Sequence, residues 1–143
     1  QGGLIITTTS LPGGSEGRAY SATVVANGGT QPYTWSISIG SLPPGLSLGA
    51  STGTISGTPT TPGTYAFTIQ VVDSSTPQLS ATQPLKIIIS GLSITTTSLA
   101  NATVGTPYGA TLLALGGTLP YTWAISVGSL PTGLTLNTTT GFI

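Results

Sequence analysis

Residues 4–55 align with residues 92–143 at a constant offset of 88 and without a gap, and 31 of the 52 paired positions are identical. A repeat this long and faithful constrains the fold before any other feature. The chain must be built from a unit of 88 residues that packs on itself and meets the next unit at its end. The first unit, 1–90, contains the whole repeat, whereas the second, 91–143, stops at Ile143, the counterpart of Ile55. The second unit is therefore expected to be truncated after its fifth strand. With Gln1 at the start, the whole chain reads as a fragment of a longer polypeptide. The alternative is completion of the second unit by a donor strand from another subunit.

Each unit reads as all-β. No segment of 11–18 residues has helical periodicity, and Gly and Pro interrupt the chain too often for a helix. Between the breaks, Thr, Val, Ile and Tyr dominate, and apolar and hydroxyl residues alternate with a period of two. Seven strands are predicted in unit one: 4–9, 18–26, 32–39, 45–48, 53–56, 64–72 and 84–90. Tyr20, Ala22 and Val24 fall on one face of the second strand, and Tyr33, Trp35, Ile37 and Ile39 on one face of the third. Tyr65, Phe67, Ile69 and Val71 line the sixth, and Leu85, Ile87 and Ile89 the seventh, with Lys86 pointing outward. Seven short strands between turn signals argue for a sandwich of two sheets, with a β-barrel as the alternative. Asn27-Gly28-Gly29 and Leu115-Gly116-Gly117 supply backbone freedom for turns. Pro43-Pro44-Gly45 makes a crossing between sheets, and Thr61-Pro62-Gly63 leads into the sixth strand. Asp73-Ser74-Ser75 forms a turn capped by its own side chains. Only Ser90 and Gly91 separate the units, too short a tether for free motion, so the units should stack end to end.

Composition excludes several functions. Glu16, Arg18, Asp73 and Lys86 are the only charged residues, 3% of the chain, and there is no His or Cys. Disulfides and thiolate or imidazole metal sites are thereby excluded. Two carboxylates cannot supply a calcium cage. Two cations make no nucleic-acid surface. Thr, Gly and Pro interrupt every apolar run well short of the ~18 residues of a membrane helix. Low charge with 38% apolar residues is also the opposite of the disorder signature.

The ordered motifs Tyr33-Thr34-Trp35-Ser36-Ile37, Leu42-Pro43-Pro44-Gly45-Leu46, Thr52-Gly53-Thr54-Ile55-Ser56-Gly57-Thr58-Pro59, Gly63-Thr64-Tyr65-Ala66-Phe67 and Val72-Asp73-Ser74 carry a family likeness. Together they resemble the immunoglobulin-like, cadherin-like tandem repeats of large secreted or cell-surface bacterial proteins. The resemblance spans unit one and the available part of unit two. It implies a seven-stranded immunoglobulin-like sandwich, with Trp35 and Trp123 as the buried tryptophans of the third strand. It also implies an extracellular role as stalk, spacer or adhesive array. Relatives that bind calcium do so through Asp clusters, which this chain lacks.

No catalytic, cofactor-binding or metal-binding residues are assigned, and the chain is expected not to be an enzyme. Tyr33, Trp35 and Phe67 could in principle stack a sugar, but their strand phase points them into the core, as it does Tyr20 and Tyr108. Glu16, Asp73 and Lys86 do not form the buried triad of an isopeptide crosslink. These three and Arg18 are expected to be solvated, since unit two has Val104 and Thr106 in place of Glu16 and Arg18. Stability is accordingly expected to vary little with pH. Asn101-Ala102-Thr103 and Asn137-Thr138-Thr139 match the N-glycosylation pattern. Thr7-Thr8-Thr9, Thr95-Thr96-Thr97 and Thr138-Thr139-Thr140 are candidate O-glycan acceptors. The main expectation is a structural repeat module of an extracellular surface protein or filament. Its partners would be neighbouring modules or further copies in a homo-oligomer. An adhesin or carbohydrate-binding module and an accessory module of a secreted hydrolase are the alternatives.

Overall fold

The computed structural model describes residues 3–143. In unit one, nine strands follow in order: β1 (Ile5–Ile6), β2 (Gly14–Ser15), β3 (Tyr20–Thr23), β4 (Ala26–Asn27), β5 (Thr34–Gly40), β6 (Leu46–Leu48), β7 (Thr54–Gly57), β8 (Gly63–Val72) and β9 (Ser80–Ser90). One sheet runs β2-β9-β8-β5 and the other β3-β7-β6, with β1 and β4 pairing separately. The alternating apolar residues of both sheets meet in one core, so the sandwich holds and the barrel does not. Val24, Ile55, Ile69, Val71, Ile87 and Ile89 are almost completely buried. Each such side chain contributes about 1.5–3 kcal/mol by leaving water.

Several strand limits differ from those expected, for local reasons. The predicted first strand, 4–9, shortens to Ile5–Ile6, and Gly14–Ser15 is a further strand outside the seven predicted. Ile5–Ile6 pairs antiparallel with β4, and Gly14–Ser15 crosses to pair parallel with β9. Thr7 and Thr8 extend the first pairing through side chains, since the Thr7 hydroxyl donates to the Val25 carbonyl and the Thr8 hydroxyl accepts from the Val25 N–H. The second strand breaks at Val24, whose N–H turns to the Gly53 carbonyl. The last strand begins at Ser80, earlier than expected, and pairs with β8 over ten positions from Gly63↔Ile89 to Val72↔Ser80. Ile39 was expected inward but is 69% exposed. A register shift between Ile37 and Ile39 opposite β8 turns it out of the core.

Gly53 illustrates why the Thr-Gly-Thr-Ile motif needs its glycine. Its φ is +72°, and a Cβ there would stand 2.8 Å from the Val24 carbonyl oxygen and 2.9 Å from the Trp35 ring. The glycine lets the chain turn directly over the indole. Gly141 does the same against Trp123, with φ +74°.

Unit two repeats the local geometry of unit one but little of its ladder. It has β10 (Ser93–Ile94) pairing with β11 (Ala114–Leu115), and a bridge between Thr111 and Phe142. The Tyr121 and Trp123 rings lie edge to face at 6.4 Å, as Tyr33 and Trp35 do. Trp123 N–H donates to the Thr138 carbonyl as Trp35 N–H does to Ala50. The third-strand and fourth-strand ladders of unit one are not reproduced. In unit one β5 pairs with β8 alone, and the chain holds no counterpart of 56–90 for unit two. Ile125 and Phe142 are exposed where their counterparts Ile37 and Thr54 are partly covered, whereas Leu113, Leu115, Leu119 and Val127 stand at positions exposed in unit one as well. An open groove of about 590 Å³ lies among Val104, Tyr108, Pro131 and Leu134. On the matching surface of unit one, Gly17 N–H and Thr60 N–H bond across to the Pro59 and Pro44 carbonyls.

Truncation of Ile69 to Ala should cost about 2–5 kcal/mol in urea unfolding. Gly53→Ala should also destabilise, by about 1–3 kcal/mol from the strained φ. Ile39→Ser should stay within about 0.5 kcal/mol, as expected for an exposed position.

Candidate functional site

The aromatic candidates for sugar stacking are largely inside. Trp35 and Phe67 are 4% and 3% exposed, and only Tyr33 is half-buried at the surface. The Tyr33 hydroxyl donates to the Gly28 carbonyl at 2.6 Å. Tyr20 is buried, with its hydroxyl donating to the Pro12 carbonyl, and burial pushes its pKa up. Tyr108 repeats that bond to Ala100 but is less covered. Asn101 is exposed. Asn137 is exposed too, but its side-chain oxygen accepts from the Thr139 N–H, the Thr139 hydroxyl and the Thr140 N–H. Of the threonine runs, Thr95 and Thr96 are tied to Leu113 as Thr7 and Thr8 are to Val25. Lys86 is exposed opposite Ala66, six rungs of the β8–β9 ladder from the Asp73 end, so Lys86 and Asp73 do not converge. Among the described residues, no three His, Cys, Asp or Glu side chains come together.

Asp73 departs most from expectation. It caps its turn as predicted, but it is not solvated: it is 2% exposed. The turn between β8 and β9 folds over the carboxylate. Leu79 N–H donates to Oδ1 at 2.8 Å and Ser75 N–H at 3.2 Å, and the Ser75 hydroxyl lies 2.7 Å away. Oδ2 accepts from Thr30 N–H at 2.9 Å, across the unit from a different loop. Ser74 adds its N–H to the Thr30 carbonyl and its hydroxyl to the Pro32 carbonyl. Burial alone would raise the Asp73 pKa. The bonds from Leu79, the Ser75 hydroxyl, Thr30 and the Ser75 amide outweigh it and lower it to about 2. The one buried charge therefore ties the β8–β9 turn to the β4–β5 loop, Gly28-Gly29-Thr30.

That loop matters because its counterpart in unit two meets unit one. Gly116 and Gly117 are buried beside Gly91 and Leu92. A Cβ on Gly17 would fall 2.3 Å from the Gly117 carbonyl oxygen. One on Gly116 would fall 2.3 Å from the Gly91 carbonyl oxygen, and one on Gly91 would stand 3.1 Å from the Pro62 ring. Gly17 has φ +78°, so the close approach and the turn require glycine together. Beside this backbone contact, the Arg18 guanidinium donates to the Tyr121 hydroxyl at 3.0 Å, and Tyr121 in turn donates to the Gly116 carbonyl. The joint is thus built of four glycines and one arginine–tyrosine bond. The sequence marked Gly116 and Gly117 as turn formers and Gly91 as part of the short linker, and nothing in its pattern showed that the Gly17 turn would touch them.

Acid unfolding should separate the Asp73 contribution. The folded pKa lies below the unfolded value of 3.8, so the carboxylate stabilises above that value and the contribution is lost as pH falls toward about 2. Thermal midpoints should be flat from about pH 7 to 5 and drop between about pH 5 and 2. Asp73→Asn should lower the midpoint at neutral pH and flatten this acid limb; a wild-type midpoint unchanged at pH 2 would contradict it.

The family described as "Putative Ig domain" matches residues 3–90 and again 91–143. No curated protein matches the chain. Among solved structures, one described as a "putative alpha-galactosidase/melibiase" from Bacteroides fragilis aligns at 24% identity and TM-score 0.52, over 63% of this chain and 18% of that one. A protocadherin gammaB7 EC3-6 cis-dimer aligns at 14% identity and TM-score 0.50, over 98% of this chain and 42% of that one. The protocadherin gammaB4 extracellular domain aligns at 15% identity and TM-score 0.50, over 98% and 28%. The chain spans less than half the length of each, and at these identities the likeness is one of fold. With the family matching both units along almost the whole chain, this protein belongs to the Ig-domain family so described.

Proposed function

We propose that the chain is a non-enzymatic structural segment of an extracellular surface protein or filament, in which immunoglobulin-like modules, 1–90 and 91–143, stack end to end as a stiff rod. The observation that carries this reading is the joint. β9 runs to Ser90 and β10 starts at Ser93, and the linker between them is wedged between Pro62 and Gly116. A joint closed by backbone against backbone leaves little room for bending. Charge-poor, hydroxyl-rich outer faces offer little repulsion between neighbouring copies, which favours lateral association in a filament. The alignment with tandem cadherin domains along almost the whole chain agrees with an array of modules.

A second reading, an accessory module of a secreted hydrolase, has the alpha-galactosidase alignment behind it. It requires a catalytic domain encoded in the same reading frame, which sequencing around the gene would reveal.

Small-angle scattering of the chain tests the rod. β8 and β9 span about 35 Å at ~3.3 Å per residue, so two stacked units approach 70 Å. The radius of gyration should exceed about 20 Å, against about 15 Å for a compact chain of the same length. A value near the compact one would refute the rod.

A further inference from the structure

We propose that the end of unit one formed by Gly28, Gly29, Thr30 and Tyr33 is a docking surface for the glycine–arginine turn of another Ig-like module joined ahead of it, and that the arginine selects the partner. The proposal rests on the rod reading and deepens it by naming the contact.

The evidence is the occupied joint within this chain. Gly116, Gly117, Thr118 and Tyr121 receive the Gly17-Arg18 turn, and at an offset of 88 their counterparts are Gly28, Gly29, Thr30 and Tyr33. The local geometry matches as well as the sequence. Gly28 and Gly29 have φ of +86° and +63°, and Gly116 and Gly117 have +79° and +64°. Tyr33 donates to Gly28 O as Tyr121 donates to Gly116 O, leaving the same oxygen lone pair to accept from outside. Burial differs in the direction that docking requires. Gly116 and Gly117 are buried, with Gly91 and Leu92 against them and the Gly17 turn of unit one on the Gly117 carbonyl, and Gly28 and Gly29 are only partly covered. Gly3, the counterpart of Gly91, has nothing within 4 Å of a Cβ position, where Gly91 has Pro62. The surface is also held in shape without a partner, because Asp73 and Ser74 fix Thr30 on both its N–H and its carbonyl.

The opposite end of the pair carries the other half of the joint. Gly105 has φ +82°, close to the +78° of Gly17, and nothing within 4 Å of a Cβ position. A contact whose two halves differ, repeated at each unit, extends as an open array. The arginine is the part that is not repeated, since unit two has Thr106 in its place. A threonine hydroxyl on a one-carbon stem cannot span the distance a guanidinium does, so turns of the Gly-Arg and Gly-Thr types are told apart at Tyr33.

The test is a three-unit chain in which residues 3–90 precede residues 3–143, so that Ser90 leads into Gly3 as it does into Gly91. Residual dipolar couplings and 15N relaxation report the orientation and tumbling of each unit. The added unit should take the same orientation to its neighbour as unit one takes to unit two, with one shared tumbling time. Arg18→Thr in the added copy should release the new joint alone, leave the unit's thermal midpoint unchanged, and be rescued at position 18 by Lys; Tyr33→Phe in the next unit should release the same joint while also lowering that unit's midpoint, because its bond to the Gly28 carbonyl is lost. Independent tumbling of the added unit beside a rigid original joint overturns the proposal. Loss of rigidity at both joints overturns the rod reading itself, and the proposal with it. Head-to-tail assembly of the unextended chain that Tyr33→Phe abolishes would make a second copy the occupant and overturn the arrangement stated here.

Discussion

The ten-position pairing of β8 with β9 is the interaction on which the rest of the fold depends. It places Phe67, Ile69, Val71, Leu85, Ile87 and Ile89 on one face, half of the buried apolar core. β5 hangs from one side of this pair and β2 from the other. The chain contains its own control. Unit two shares 31 of 52 positions with unit one and keeps its turns, its edge-to-face tyrosine–tryptophan pair and several single backbone bonds. Those features are local. The ladders that need a long partner strand do not form, which shows how strand propensity waits on non-local pairing.

Against this apolar frame, one carboxylate has a disproportionate part. Asp73 sits where the β8–β9 turn bends back over the β4–β5 loop, and among the described residues of unit one no other side chain bonds so many backbone N–H groups. Three such bonds and the Ser75 hydroxyl make ionisation favourable in a buried place. The same bonds fix Thr30 and so the glycine loop whose counterpart forms the joint. The stability of the core and the shape of the module's end are thereby coupled through one residue.

Much of this was legible in the sequence, and the exceptions have physical causes. Period-two alternation located Trp35, Phe67, Ile69 and Ile87 in the core, because burial of one sheet face leaves a direct trace in the pattern. It failed at Ile39, where one extra residue on β5 inverts the phase and leaves no mark in composition. Asp73 was legible as a turn former, but its burial was not, since Thr30 lies 43 residues away and reaches it only through the fold. Of the joint's glycines, Gly116 and Gly117 were read as a local turn and Gly91 as linker, and Gly17 carried no mark. Their contact arises between units, and a sequence records such an approach only as small residues. The scarcity of charge excluded many chemistries, yet Arg18 and Asp73 are both employed.

The parallel pairing of β2 with β9 has a mechanical consequence. The chain enters unit one ahead of β2 and leaves it after β9, and Gly14↔Ile89, Ser15↔Ser90 and the Glu16–Ser90 bond tie the two strands side by side. Tension applied through the neighbouring units pulls these parallel strands in opposite senses along their own axes. The bonds between them are then loaded together in shear rather than peeled one after another. Only the two-residue β1–β4 pairing stands ahead of this clasp along the line of pull, and behind the clasp lies the long β8–β9 ladder.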